Sequence, residues 1–158
     1  MTANSTTAED RLTRLGIHLP EAPTPFGAYV PAVQTGNLLF LSGMLATSGH
    51  ATAVTGVVGK NLDVKAGREA AYTAALNVLA LTKKQLGTLD RVSRVVRLGV
   101  YVAATPEFTD LAKVADAASE LLRDVLGEQT VSSRLVIGVA SLPLGSPVEL
   151  ELIVEVKI

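Results

Sequence analysis

The last extended segment of the chain, residues 147–157, alternates between apolar side chains and a second set that is mostly charged. Successive side chains of a β-strand point to opposite faces of a sheet, so the alternation assigns each residue to one face. The apolar face carries Val148, Leu150, Leu152, Val154 and Val156. The other face carries Glu149, Glu151, Ile153, Glu155 and Lys157. The segment therefore predicts a sheet with helices on one face. The second face has both polar and apolar side chains, as expected where subunits associate around solvent-filled pockets.

Two segments upstream change to a helical period. The first shows small and apolar residues at three- or four-residue spacing, namely Ala66, Ala70, Ala74, Val78 and Leu81. Asp63 suits the N-cap of this helix and Gly87 its C-terminal end. A second helix is predicted from Pro106 to about Leu126, where Gly127 ends it. The alanine-rich stripe indicates close packing of the first helix against a sheet.

The other segments complete the order of elements. Residues 6–16 predict a short helix, capped by Thr6 or Thr7, and residues 28–44 predict a hairpin with its turn at residues 35–37. Further strands are predicted at residues 93–104 and 132–141. In the first of these, the side chains expected on one face are Val96, Leu98, Val100 and Val102, with Arg97 and Tyr101 opposite. The order ββ–α–β–α–ββ predicts one α/β two-layer sandwich, with two helices on one face of a mixed sheet.

Composition excludes several classes of protein. The 158 residues are 48% hydrophobic and 18% charged, which indicates a globular domain. This hydrophobic content is high for a small monomer, so we expect part of it to lie at a subunit interface. A net charge of −1 argues against a general nucleic-acid binder. The chain has no cysteine and two histidines, so it has few possible metal ligands and few candidates for the histidine of a Ser-His-Asp triad. Without a signal-like or membrane-spanning apolar run, the expected location is the cytoplasm.

Two charged residues in the closing segments are candidates for chemistry. Arg134 begins an apolar strand, where it could extend to the rim and pair with a carboxylate, or grip a substrate carboxylate with its planar guanidinium. Glu149 could belong to a solvated strand face, or it could polarise a water and relay a proton. Position alone favours the structural interpretation for each.

The hairpin adds three further candidates. Ser42 and Gly43 end a strand where glycine lets the backbone approach a ligand, and Tyr29 follows a glycine at a predicted interface. The glycine-containing stretches "GVVGKN" and "GVAS" have neither the strand–GxGxxG–helix pattern nor the Walker pattern. Nucleotide binding therefore has little support.

Two longer stretches carry a family resemblance. The hairpin "PTPFGAYVPAVQTGNLLFLSGML" and the closing "SSRLVIGVASLPLGSPVELELIVEV" resemble the RidA/YjgF family of reactive-intermediate (enamine/imine) deaminases. The similarity runs from about Pro25 to Val156 and includes "YVAATPEF" and the spacing of both helices. It divides the chain into an N-terminal extension with a short helix, residues 1–24, and a RidA-like domain, residues 25–158. The extension resembles the longer N-terminal segment of one branch of the family.

The resemblance implies a chorismate-mutase-like fold assembled as a homotrimer, with clefts between subunits. It assigns the substrate carboxylate to Arg134 and the hydrolytic water to Glu149, with Tyr29 on the cleft wall and Ser42 and Gly43 on its floor. The implied reaction hydrolyses a small 2-imino acid, the tautomer of an enamine, to a 2-keto acid and ammonia without metal or organic cofactor.

The chain departs from the family pattern at Ala103-Ala104, Ser132-Ser133 and Asp116, and these departures put the substrate range in question. Two alternatives remain open at this point. The first is a non-catalytic trimer that binds a small carboxylate metabolite through Arg134. The second is a ribonuclease or translation inhibitor, which the low basic charge and the 4% aromatic content disfavour.

Overall fold

The computed structural model describes residues 6–158, so the first five residues of the predicted extension lie outside the described part. The helices are α1 Ala8–Leu15, α2 Val64–Leu86 and α3 Leu111–Leu126. The strands are β1 Ala32–Thr35, β2 Leu38–Leu45, β3 Thr47–Ser48, β4 Ala51–Thr52, β5 Val92–Ala103, β6 Ser133–Val139 and β7 Val148–Val156. The predicted order of helices and main strands is confirmed. The segment between β2 and α2 also contains a short hairpin, β3–β4.

Five strands form one mixed sheet in the order β1-β2-β7-β5-β6. Neighbouring strands are antiparallel except β5 and β6, which are parallel and are connected through α3. A parallel pair needs such a crossover, whereas β1 and β2 need only the tight turn at Gly36 and Asn37. The long central strands β5 and β7 therefore hold residues from distant parts of the chain in fixed register.

Helices α2 and α3 cover one face of this sheet and form the second layer. The predicted apolar side of β7 is buried along its whole length, and the glutamates on the other side stay half-exposed. The alanine stripe of α2 is buried at Ala70, Ala74, Val78 and Leu81, whereas Ala66 is only half-buried. At Gly67 a Cβ atom would lie 3.0 Å from Val114 of α3, so glycine permits the close contact of the two helices.

Two details of the predicted elements are wrong. Val96 does not share the buried face of β5, because irregularities in the β5–β7 pairing between Val92 and Arg94 and between Val95 and Arg97 shift the alternation. Val95 is buried in its place and Val96 is exposed. Helix α3 begins at Leu111 rather than Pro106, because residues 105–108 form a hydrogen-bonded turn that leads from the sheet to the helix layer.

Helix α1 docks against the ends of both other helices. Thr7 caps its start, as the sequence predicts, and Gly16 ends it in the left-handed conformation. The Arg11 guanidinium donates hydrogen bonds to the carbonyls of Val125 and Leu126, at 2.6 and 2.7 Å. Glu9 accepts a bond of 2.7 Å from Lys83 Nζ of α2. Burial raises the pKa of Glu9, but its bonds to Lys83 and to neighbouring donors outweigh burial and lower that pKa overall.

Candidate active site

A cleft of about 460 Å³ opens beside the start of β7. Its walls come from the loop at residues 26–29, the end of β2, the turn before β7 and β7 itself. The lining residues are Phe26, Gly27, Tyr29, Ser42, Gly43, Leu45, Pro143, Leu144 and Glu149. The cleft therefore combines an apolar wall with one carboxylate and two hydroxyls, those of Tyr29 and Ser42, as small-molecule sites commonly do.

A break in the strand ladder shapes the floor of the cleft. The register of β2 against β7 shifts between Leu41 and Met44, so Ser42 and Gly43 occupy a bulge. The carboxylate of Glu149 lies against the backbone of Gly43, where the Cβ atom of any other residue would overlap Glu149 Oε1. Bulges next to active sites redirect side chains in this way. Glycine at position 43 is therefore a requirement of the Glu149 position.

The surroundings of Glu149 favour its protonated form. Burial, followed by the negative charge of Glu151, raises the pKa of Glu149. Glu151 pairs with Arg97 at 3.3 Å, and no cationic side chain within residues 6–158 forms an ion pair with Glu149. A half-buried carboxylate with a raised pKa and open access to a cleft is suited to take up and return a proton.

Tyr29 and Ser42 hold the wall beside this carboxylate. The Ser42 hydroxyl donates a hydrogen bond of 2.7 Å to the carbonyl of Val30, and its backbone N–H donates to Pro31 at 2.9 Å. The Tyr29 hydroxyl accepts a bond of 3.2 Å from the backbone N–H of Phe26. The ring of Tyr29 remains nearly half-exposed. These bonds fasten the loop against the β2 bulge and leave the ring facing the cleft.

Arg134 lies elsewhere in the same chain. It stands opposite Leu98 on the edge strand β6, and its guanidinium donates to Asp116 at 2.8 Å and Ser119 at 3.0 Å, both on α3. Glu149 lies two strands away and on the other face of the sheet, so their backbones are on the order of 14 Å apart. One chain therefore brings together Tyr29, Ser42, Gly43 and Glu149, but not Arg134.

Sequence reasoning missed four apolar lining residues, Phe26, Leu45, Pro143 and Leu144. The sequence signal of Phe26, Pro143 and Leu144 is weak, because each lies in a proline- and glycine-containing loop that indicates only a turn. Within the part of the chain that the structure describes, no three histidine, aspartate or glutamate side chains are grouped so as to hold a metal ion. Over the same residues, no helix is both long and apolar enough to cross a membrane.

Comparison with known proteins defines the family. Residues 9–156 match the family described as "YjgF/chorismate mutase-like, putative endoribonuclease". The chain therefore belongs to the YjgF/chorismate mutase-like family, as the motifs of its hairpin and closing segment predict. The two-layer fold with a mixed sheet agrees with this membership.

Individual relatives extend the comparison over nearly the whole chain. Protein TCP17 of Trypanosoma cruzi is 42% identical over 147 residues, which are 92% of each chain. A 2-iminobutanoate/2-iminopropanoate deaminase of Dermatophagoides farinae is 29% identical over 142 residues, 89% of this chain and 95% of its own. A crystal structure of an Agrobacterium tumefaciens protein of unknown function has a TM-score of 0.87 and 41% identity, covering 98% of this chain and 94% of its own.

Proposed function

We propose that the protein hydrolyses small 2-imino acids, and their enamine tautomers, to 2-keto acids and ammonia without a cofactor. The observation that carries the proposal is the Glu149 carboxylate, set over Gly43 at the floor of a small cleft with a raised pKa and no cationic partner in residues 6–158. The similarity to a mite protein named for this reaction supports the same chemistry.

The reaction asks little of the site. The oxygen of a water forms a bond to the electrophilic imine carbon while the C=N π electrons move to nitrogen and Glu149 takes one water proton. Glu149 returns this proton to the nitrogen, which gives a carbinolamine. Glu149 then transfers the proton of the new hydroxyl to the nitrogen, the C=O bond forms as the carbon–nitrogen single bond breaks, and ammonia and a 2-keto acid leave. One well-placed acid/base group supplies about 10²–10⁴-fold, and holding the reactants in position supplies much of the remainder.

The carboxylate anchor comes from a second copy of the chain in this proposal. The sheet face away from the helices exposes large apolar side chains, namely Val33, Phe40, Leu135 and Ile137. Such a face is suited to contact between subunits. The homotrimer that the family resemblance implies would set Arg134 of one subunit beside the cleft of its neighbour. Association in this form also explains why Arg134 and Glu149 need not meet within one chain.

A non-catalytic carboxylate-binding protein is the main rival. It would use the same cleft and the same Arg134 but would have no need of a proton-transferring group. An endoribonuclease is less well supported, because Arg94 and Arg97 on the open sheet face are paired with Glu155 and Glu151 rather than free to contact phosphates. The cytoplasmic location expected from the sequence stays a prediction.

Replacement of Arg134 tests the proposed reaction directly. Ammonia release is measured from 2-iminopropanoate and 2-iminobutanoate, both generated in situ, with wild-type protein and Arg134→Ala side by side. We expect the wild type to exceed the spontaneous rate, and the variant to lose at least about tenfold in kcat/KM because a charge-assisted anchor is gone. Circular dichroism and size-exclusion chromatography check that the variant keeps its fold and assembly. A folded wild type that accelerates neither these two substrates nor a 2-imino acid with a larger aliphatic side chain contradicts the proposal.

Asp116 competes with substrate for the same guanidinium. Because its carboxylate lies 2.8 Å from the Arg134 Nη1 atom, a substrate carboxylate must displace it or share the arginine. We expect Asp116→Asn to lower KM roughly 2- to 5-fold, the effect of weakening one exposed ion pair, with kcat little changed. Asp124→Asn is the matched control, because Asp124 pairs with Arg123 on the same helix. A raised KM in Asp116→Asn would show instead that Asp116 orients the arginine for substrate.

A further inference from the structure

Leu144 combines two locally unfavourable features. Its backbone has φ 58° and ψ 15°, and among residues 6–158 no other residue except glycine has a positive φ. Residues other than glycine disfavour this left-handed region because their Cβ atom crowds the adjacent carbonyl. The side chain is also 51% exposed although it is apolar. Neither feature helps the chain to fold, so the reason for this leucine must lie outside the stability of the single chain.

Surrounding hydrogen bonds fix the turn that contains Leu144. Ser146 is fully buried, and its hydroxyl donates to the carbonyl of Val148 at 2.9 Å and accepts from the backbone N–H of Ala46 at 3.3 Å. The backbone N–H of Gly56 donates to the carbonyl of Gly145 at 3.1 Å. The turn is thus held on both sides, which is the condition under which an unfavourable backbone conformation persists.

This fixed turn places Leu144 in the wall of the cleft that contains Glu149. Phe26, Tyr29, Leu45 and Pro143 line the same cleft, so the space beside the carboxylate is largely apolar. A volume of about 460 Å³ lies in the range, ~300–1,000 Å³, of sites that enclose drug-sized ligands. The cleft wall of one chain therefore offers more apolar contact than a substrate with only a methyl side chain can use.

We propose that Leu144 is a specificity-determining residue that selects 2-imino acids with extended aliphatic side chains over those with a methyl or ethyl group. This inference rests on the proposed function and names the substrate class of the same cleft. The reaction is unchanged: water adds to the imine carbon, the carbon–nitrogen bond breaks, and ammonia and the 2-keto acid leave. Contact between the substrate side chain and Leu144 strengthens binding of the larger imine, because each added methylene buries more apolar surface against a hydrophobic wall.

The test compares two substrates and two variants. An amino-acid oxidase generates 2-imino-4-methylpentanoate or 2-iminopropanoate in situ, and ammonia release above the spontaneous rate gives kcat/KM for each. Wild type is expected to prefer the larger imine, and Leu144→Gly to lower that preference at least ~10-fold. Glycine adopts the left-handed conformation freely, so its Tm should be unchanged or higher. Leu15→Asn is the matched control, because Leu15 is 48% exposed and does not line the cleft.

A binding measurement separates this inference from the proposed reaction. Calorimetric titration with pyruvate and with 4-methyl-2-oxopentanoate gives the ratio of the two affinities even if turnover is absent. Tighter binding of the larger keto acid, lost in Leu144→Gly and kept in Leu15→Asn, supports the role of Leu144 whatever the rate of hydrolysis. An unchanged ratio in Leu144→Gly overturns it, as does loss of oligomeric assembly with the preference intact. Hydrolysis by wild type without side-chain preference overturns this inference and leaves the proposed function standing.

Discussion

Glu149→Gln is expected to lose most of the imine-hydrolysing activity and to gain stability at neutral pH. Glutamine keeps the size of the side chain but cannot take a proton from water, so kcat should fall by about 10²–10⁴-fold. In the wild type, kcat should fall as pH decreases through the raised pKa of Glu149, because protonation removes the base. The residual rate of the variant should lack this dependence.

The stability gain follows from the same raised pKa. The folded chain holds the Glu149 proton more tightly than the unfolded chain, whose glutamate has the ordinary pKa of 4.5. Stability contributed by this residue is therefore full below 4.5 and is lost as pH rises through the raised pKa. Because glutamine carries no charge, we expect thermal unfolding of the variant to show a higher Tm at pH 7 and no gain near pH 4.

Glu155→Gln is the matched control for this substitution. Glu155 lies on the same strand and the same face but outside the cleft, where it pairs with Arg94 and accepts a bond from Asn37. It should keep nearly the wild-type rate. A Glu149→Gln protein with the wild-type rate would contradict the acid/base role. If the wild type shows no hydrolysis and Glu149→Gln binds pyruvate as the wild type does, the carboxylate-binding rival is favoured.

Mixing two inactive variants is expected to restore activity. If Arg134 of one subunit completes the cleft of its neighbour, a trimer that contains both Arg134→Ala and Glu149→Gln subunits has some sites with neither substitution. In every mixed trimer one of the three sites carries neither substitution, so about one third of the wild-type activity should return. Co-expression of the two differently tagged chains followed by tandem purification provides the mixed assemblies.

The controls for this experiment use the same chains. Arg134→Ala mixed with the double variant Arg134→Ala/Glu149→Gln has no intact pair in either arrangement and should stay inactive. Mixed assemblies that fail to regain any rate, while each parent is folded and oligomeric, would place both groups in one chain. That outcome would require β6 to move, because the two residues lie on opposite faces of the sheet.

Much of the fold can be predicted because β7 and α2 carry strong periodic patterns. The alternation from Val148 to Val156 identifies the buried face of the sheet, and Asp63 and Gly87 mark the ends of α2 correctly. The prediction for Val96 fails because a bulge inserts a residue without any local signal in an apolar run. Pro106 misleads for a related reason: proline suits the first turn of a helix and equally suits a tight turn.

The candidate site is harder to predict than the fold. The pairing of β2 with β7 brings Glu149 together with Ser42 and Gly43. The resemblance of the motifs to the family indicates this strand pairing only indirectly. The pairing of Arg134 with Asp116 depends on how α3 lies over the sheet edge, which no spacing in the sequence encodes. The position of Leu144 in the cleft wall depends on a left-handed backbone conformation. A sequence normally signals this conformation with glycine, and here the residue is leucine.

The docking of α1 has a consequence for the order in which the molecule is completed during synthesis. Arg11 satisfies carbonyls at the end of α3, 114 and 115 residues further along the chain, which that helix cannot satisfy by itself. An eight-residue helix has little stability alone in water, so α1 has no lasting structure while the ribosome makes the rest. Helix α1 therefore leaves the ribosome before α3 but is fixed only after the carbonyls of Val125 and Leu126 are in place.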